Sequence, residues 1–478
     1  MKQYDVAIIG GGVTGAAIAR ELSRYKLKIA LFEKEEEFAF GVSKSNSGII
    51  HPGTQNPPDS LKGKLCLKGN LLMRELAKEL GLDFKEVGSL IVAVTEEEVP
   101  RLLEIKKEAE ELGVPKLTMV DGIWLRKNEP NLNKSAVRAL YAPTAGVISP
   151  YRLVYDLCEN AAKNGVVFYT GTKVEKIIAS GEKRFEISTQ KGTFVARYVI
   201  NAAGLFADEI SRMVGIDDFM ITPRKGEEFL LDKKREHLTN HVLFPMPTKT
   251  SKGILVIKTS DGNPMIGPTA HDTDDKEDLS TSDEGLKEVF VSARKLLPTL
   301  NENDIIAYFA GLRPACGHDF IIRGEKKVPG FINVAGIQSP GLTAAPAIAV
   351  MVRGILNKNG LTLLKRRPFH LHQREENHLF AIPLEVTEKL IKKDPSYGDI
   401  ICRCEMVSKR EITEAIDRGA KTLDGVKFRT RAQAGRCHGG FCTTRIMRLL
   451  AEKRKIPLTA VTKRGKLSEI VKEDRKNA

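Results

Sequence analysis

YDVAIIGGGVTGAAIARELSRYKLKIALFEK, residues 4–34, reads as an apolar run, a glycine turn, a helically spaced stretch and a second apolar run. Val13, Ala16, Ala17 and Leu22 recur at helical spacing. Strand, tight turn, helix and strand in that order open a parallel, doubly wound sheet. Gly10, Gly12 and Gly15 form G-x-G-x-x-G. The first glycine permits the turn, the second lets the backbone approach a pyrophosphate, and the third lets helix and strand pack closely. The N–H groups at the helix start then face phosphate. Glu33 stands 18 residues after Gly15, where an acidic side chain can hold ribose hydroxyls. Glycine turns alone are common; in this setting the pattern predicts dinucleotide binding and leaves FAD or NAD open.

Beyond this unit, 478 residues exceed the usual reach of one hydrophobic core, so two or three folding units are expected. The apolar run at residues 4–9 has no basic lead-in or cleavage pattern, and no segment reaches the roughly 18 to 20 apolar residues of a membrane span. The expected location is the cytoplasm, or the inner membrane surface through a partner. The formal charge of +14 comes from lysines interleaved with glutamates, as in EIKKEAEELG, the pattern of solvated helix faces. With no aromatic or basic RNA-binding motif, nucleic acid is not expected as a partner. SPYRLVYDLCENAAKNG predicts a helix capped by Ser149, with Pro150 in its first turn, Gly165 at its end, and Leu153, Val154, Leu157 and Ala161 facing a core. Residues 221–310 alternate short strands and polar turns, and read as a separate sheet inserted into the first domain.

Two later segments bear on the nucleotide. YVINAAGLFADEI, with Ala203 and Gly204, and INVAGIQSPGLTAAPAIAV, with Gly336, Gly341, Leu342 and Thr343, resemble flavin-contacting segments of the D-amino-acid-oxidase-like superfamily of FAD enzymes. SNSGIIHPG, PDSLKGKLCLKGN, AGVISPYRL and TPRKGEEF are similar to segments of L-2-hydroxyglutarate dehydrogenases and of the anaerobic sn-glycerol-3-phosphate dehydrogenase family. The resemblance runs to about residue 455. It implies an α/β, Rossmann-like FAD-binding domain (1–80, 140–220 and 311–365), an inserted antiparallel-sheet substrate domain (81–139 and 221–310) and a connector (366–398). A small α-rich module (399–455) and a tail (456–478) expected to fray complete the chain.

Seven cysteines, four of them within residues 402–442, do not form a secreted disulfide pattern. Cys402-x-Cys404 and Cys437-x4-Cys442 offer two close thiol pairs, suited to tetrahedral zinc or a [2Fe–2S] cluster. The spacing resembles the bacterioferritin-associated-ferredoxin-type domain, which implies the cluster. Arg403, Arg429, Arg431 and Arg436 could favour its negative charge or be ordinary surface residues, and His438 is not needed as a ligand.

Together the resemblances imply a dehydrogenase that oxidises sn-glycerol 3-phosphate to dihydroxyacetone phosphate, or alternatively a 2-hydroxy acid, or an amino acid or opine, passing hydride to FAD and single electrons to a flavoprotein or iron–sulfur partner. His51 is the expected base, or a histidine that only packs beside the flavin. Ser47 and Gly48 lie in the same flavin-reaching segment. Arg313 in GLRPA resembles the arginine that meets the substrate anion. Arg224, Lys225 and Lys258 are expected to add positive charge from the roofing sheet, or to be surface ion-pair partners. Gly341, Leu342 and Thr343 would aim helix-start N–H groups at the flavin.

Overall fold

The fold is that of a computed structural model, which describes residues 1–472 except 182, 248–251, 372–377 and 380–381. Five parallel strands form its first sheet, in the order Phe331–Ala335, Gly192–Asn201, Lys2–Ile9, Ile29–Phe32 and Val167–Tyr169. Ile321–Gly324 adds an antiparallel edge, and Phe185–Thr189 with Val174–Ala179 continue antiparallel from the Gly192–Asn201 strand. Strands Ile29–Phe32 and Phe331–Ala335 are fully buried, as parallel strands covered on both faces require. Helices Val13–Ser23, Leu61–Leu80, Pro150–Lys163 and Gly341–Lys358 pack into one core against this sheet. Gly15 has no room for a side chain, since a Cβ there would stand 2.0 Å from the Gly10 carbonyl oxygen.

The expected apolar stripe of Pro150–Lys163 is buried, but its cap differs. Ser149 occupies the N-cap position and its carbonyl accepts from Leu153 N, but its side chain makes no cap bond and its Oγ is buried with no partner among the described residues. Pro150, which has no N–H to satisfy, fixes the first turn instead.

A nine-stranded sheet roofs the first domain. Its longest pair, Thr222–Leu231 with Ile305–Ala315, is antiparallel throughout. Val242–Pro245 runs parallel to Ser89–Ala93, so the sheet is mixed rather than wholly antiparallel. Strands Arg138–Ala142 and Ile305–Ala315 belong to this roof along their whole length, which moves the expected boundaries at 140 and 311 to the strand ends.

The connector is more structured than expected, containing helix Leu384–Lys393. Asn160 and Asn164 also donate to the His370 carbonyl and hold its start against the first domain. The cysteine module packs helices Lys409–Asp417, Leu423–Thr430 and Thr443–Arg454 around its own core. The expected frayed tail instead touches that core at Ile456, Leu458, Val461 and Val471, with Leu467 left exposed between them. Val461 is fully buried, and Leu423 and Asp424 N–H groups donate to the Thr462 and Lys463 carbonyls. Residues 473–478 lie outside the described residues.

The module is fastened to the nucleotide domain at one buried carboxylate. Glu37 accepts hydrogen bonds from Lys421 N, at 2.6 Å, and Thr422 N, and pairs with the Arg429 guanidinium at 2.9 Å. Gly425 allows this approach, because a Cβ there would stand 2.0 Å from Glu37 Oε1. Arg429 also stacks over Tyr155, 3.9 Å from its ring centre. Glu37→Ala should therefore cost about 3 kcal/mol, the low end for breaking a buried pair, because Glu159 stays 3.7 Å from Arg429. The expected readout is an earlier thermal transition confined to the module and faster proteolysis near residue 421.

Candidate active site

A cavity of about 1310 Å³ runs between the first sheet and the roof. It is larger than the roughly 300–1,000 Å³ of an ordinary small-ligand pocket, as an extended dinucleotide plus a substrate would need. Gly10, Gly12, Glu33, Ser47, Gly48, His51, Ala203, Gly204, Gly341 and Leu342 line it, together with Arg224 and Arg313. Glu33 is held in place by N–H groups of Gly11 at 2.5 Å and Glu35 at 2.8 Å.

Gly15, Gly336 and Thr343 are expected contacts that do not line it. Gly15 serves the turn beneath. Gly336 adopts φ +68 at the end of strand Phe331–Ala335, where a Cβ would meet Cys316. Thr343 is fully buried; its hydroxyl accepts from His51 N at 2.9 Å and donates to the Ile49 carbonyl. Its hydroxyl thus holds the backbone of His51 from outside the cavity lining.

The roof residues divide by strand alternation. Arg224, Gly226 and Glu228 share one face of their strand with Gly311 and Arg313 opposite, and all five line the cavity. Lys225 is turned to the other face, where its ammonium pairs with Asp278 and bonds the Ser280 carbonyl. Lys258 does not line the cavity either. Of the three expected substrate cations, Lys225 and Lys258 thus lie off the cavity and Arg224 reaches it. Arg224 reaches the cavity wall, but Asp272 holds its guanidinium through two bonds of 2.6 and 3.1 Å.

Arg313 is different. Its Nε and Nη2 donate to the carbonyls of Arg224, Lys225 and Thr269, and among the described residues no hydrogen bond engages Nη1. Burial lowers its pKa to about 10, so it remains a cation at neutral pH.

Sequence reasoning missed two cavity groups, Lys252 and Glu228. The Lys252 ammonium is buried with no hydrogen-bond partner among the described residues, and Glu228 Oε2 is equally unsatisfied. The other Glu228 oxygen accepts from Ser47 Oγ at 3.2 Å. Gln55 and Asn56 add amide nitrogens with no partner among the described residues to the cavity wall. Buried polar atoms without partners are uncommon, and their clustering here fits a polar ligand. Lys252 could not be found from KTSKG, which has no periodicity, whereas the wrong facing of Lys225 follows from its adjacency to Arg224 in a strand.

His51 lies among these groups with Nε2 3.4 Å from Ser339 Oγ. Burial, then the Lys252 charge, lowers its pKa well below the ordinary histidine value, so the imidazole is neutral at pH 7.

The FAD dependent oxidoreductase family, DAO, matches residues 5–353. The chain belongs to this family. A glycerol 3-phosphate dehydrogenase of Caloramator mitchellensis is 42% identical, with 96% of each chain covered. The mitochondrial L-2-hydroxyglutarate dehydrogenase of Caenorhabditis elegans is 30% identical over 74% of this chain and 93% of its own. The FAD-bound L-alpha-glycerophosphate oxidase of Mycoplasma pneumoniae superposes with a TM-score of 0.74 at 33% identity, covering 78% of this chain and 99% of its own. Residues 400–452 match the BFD-like [2Fe-2S] binding domain.

As a member of this family the chain is an FAD-dependent oxidoreductase, and its C-terminal module is a [2Fe–2S] domain. The glycine turn, Glu33 and the helix start at Gly341 fit FAD. The thiols fit a two-iron cluster better than one zinc ion. Cys404 and Cys437 Sγ lie 3.5 Å apart and Cys402 touches Cys442, while no three His, Cys, Asp or Glu among the described residues gather as a metal-holding group. The Cys442 thiol, then backbone N–H groups, lower the Cys402 pKa to about 6 against burial, favouring thiolate. His438 faces the Ile306 carbonyl at 2.5 Å. Three of the four nearby arginines are structural: Arg429 meets Glu37, Arg431 meets Glu405 and Asp261, and Arg436 meets Asp232. Among the described residues no helix is long and apolar enough to cross a membrane.

Two cavity groups change charge near neutrality. Burial pushes Glu228 up to about 7 and pulls Lys252 down to about 8. Rising pH thus adds a negative charge and then removes a positive one, weakening anion binding at each step. KM for an anionic substrate should be lowest below the Glu228 value and rise as pH passes that of Lys252; initial rates across this range check it.

Proposed function

We propose that the chain oxidises sn-glycerol 3-phosphate to dihydroxyacetone phosphate and exports the electrons singly to a protein partner. The observation that carries this reading is the pairing of two incompletely satisfied cations, Arg313 and Lys252, with a neutral histidine in one roofed cavity. The similarity to the Caloramator dehydrogenase supports it. FAD, when bound, supplies the hydride acceptor, and the [2Fe–2S] cluster supplies the one-electron chemistry that direct oxidation by oxygen would not need.

Arg313 offers a guanidinium fork and Lys252 a point charge to the phosphate. His51, held through its backbone by Thr343, takes the hydroxyl proton as the C2–H bond breaks and the C=O bond forms. The roof excludes water from the hydride's path. Arg224, already neutralised by Asp272, closes the wall.

Oxidation of an L-2-hydroxy acid is the rival reading, supported by the Caenorhabditis elegans relative, because the same cations could hold a carboxylate. With glycerol 3-phosphate and a dye acceptor, dihydroxyacetone phosphate should accumulate mole for mole with dye reduced by two electrons. Dye reduction without that ketone would refute the proposal.

A further inference from the structure

Residues 399–455 hold fourteen Lys and Arg against seven Asp and Glu, half of the chain's net charge of +14. The outward side of the cysteine loop is specific in composition. Phe441, immediately before Cys442, is 85% exposed. Cys404 and Arg403 are exposed on the facing loop, and Cys402 touches Cys442, which places Arg403 and Phe441 each one residue from a touching pair of thiols. Thr444, Arg445 and Arg448 continue the exposed face along helix Thr443–Arg454, while Ile446, Met447, Leu449 and Leu450 turn inward. Arg445 is paired with Asp399; Arg403 and Arg448 have no carboxylate partner among the described residues. The inward side of the same loop is already engaged, through Arg436 with Asp232 and His438 with Ile306.

We infer that this face, with Phe441 at its centre and Arg403 and Arg448 at its rim, docks an acidic electron-accepting protein. An aromatic centre inside a charged rim is the ordinary form of a protein interface, and the rim's sign selects an acidic partner. The helix face has no apolar stripe of the kind that lies in a lipid surface, which argues against a membrane as the occupant. Cys404 is exposed and Cys437 half-buried beside it, so an acceptor on this side approaches two of the four thiols closely. The inference rests on the proposed dehydrogenase activity. Each alcohol oxidised to a ketone releases two electrons and two protons, so a one-electron carrier protein docks twice per turnover and the protons pass to solvent.

The test uses the full-length holoenzyme and an acidic flavodoxin as probe, with binding followed by calorimetric titration at low and high salt. The expected result is binding that weakens on the order of tenfold with added salt, and on the order of tenfold in Phe441→Ser and in Arg448→Glu. Turnover of glycerol 3-phosphate with a small dye should be unchanged in both variants. No flavodoxin binding, binding indifferent to the two substitutions, equal binding of basic cytochrome c, or binding of anionic phosphatidylglycerol vesicles through the same residues would each overturn the inference. Loss of dye turnover in the unaltered enzyme, with flavodoxin binding intact, would sink the substrate reading and leave the docking face standing.

Discussion

Arg313→Ala should lower kcat/KM for an anionic substrate by about 10²–10³-fold, most of it in KM. Truncating one partner of a buried, hydrogen-bonded charge pair costs roughly 2–5 kcal/mol, because the other charge is left unpaired in a site without water. Arg313 meets those conditions: it is largely buried, it is fixed by three carbonyls, and among the described residues no carboxylate is hydrogen-bonded to it, Glu228 and Asp272 acting on it only through space. Arg224 stands directly across from it in the sheet register but does not meet them. Its ion pair with Asp272 is partly exposed, and the loss of such a pair costs about 0–1 kcal/mol. Arg224→Ala should therefore change kcat/KM by less than about tenfold. Arg313 also ties the carbonyls of Arg224 and Thr269, so flavin content and thermal unfolding should be recorded for each variant. A loss confined to KM with normal flavin content identifies anion binding, and Arg313→Lys should restore part of it. Equal, small losses for both arginines would contradict the assignment.

The second large effect is expected at His51. His51→Gln should lower kcat by about 10²–10⁴-fold, the usual contribution of a positioned base. The depressed pKa sets the sign of the pH dependence. The wild-type imidazole is already unprotonated at neutral pH, so the loss of rate that His51 causes should fall on the acid side, below the ordinary histidine value and apart from the alkaline rise in KM. In the glutamine variant that acid limb should vanish. A histidine that merely packed beside the flavin would leave both kcat and the acid limb in place. Ser339→Ala is the milder comparison, since it removes a 3.4 Å contact to Nε2 and leaves the ring.

Features set by local chemistry are legible in the order of the residues. The strand–turn–helix around Gly10, Gly12 and Gly15, the buried stripe of Pro150–Lys163 and the separate sheet after residue 221 all depend on spacing within a few residues. So do the two thiol pairs. The charged residues of the roof are harder, because which charge faces the cavity is decided by register with strands far along the chain. Lys225 points away because Arg224 points in, and strand pairing alone says which of the two faces the cavity. Lys252 has no pattern around it and becomes visible only as a buried ammonium with no hydrogen-bond partner among the described residues. The basic tail misleads for a similar reason. Its lysines are solvated, yet Val461 between them fills the module core. Arg429, Arg431 and Arg436 stand near the cysteines in sequence, and their carboxylate partners lie as far away as Glu37.

The most direct test of the central claim is an anaerobic titration of the purified holoenzyme, with flavin absorbance followed as glycerol 3-phosphate, L-2-hydroxyglutarate and amino acids are offered separately. Glycerol 3-phosphate should bleach the flavin rapidly and completely, with the other compounds slow or inert. Bleaching by L-2-hydroxyglutarate alone would contradict the account.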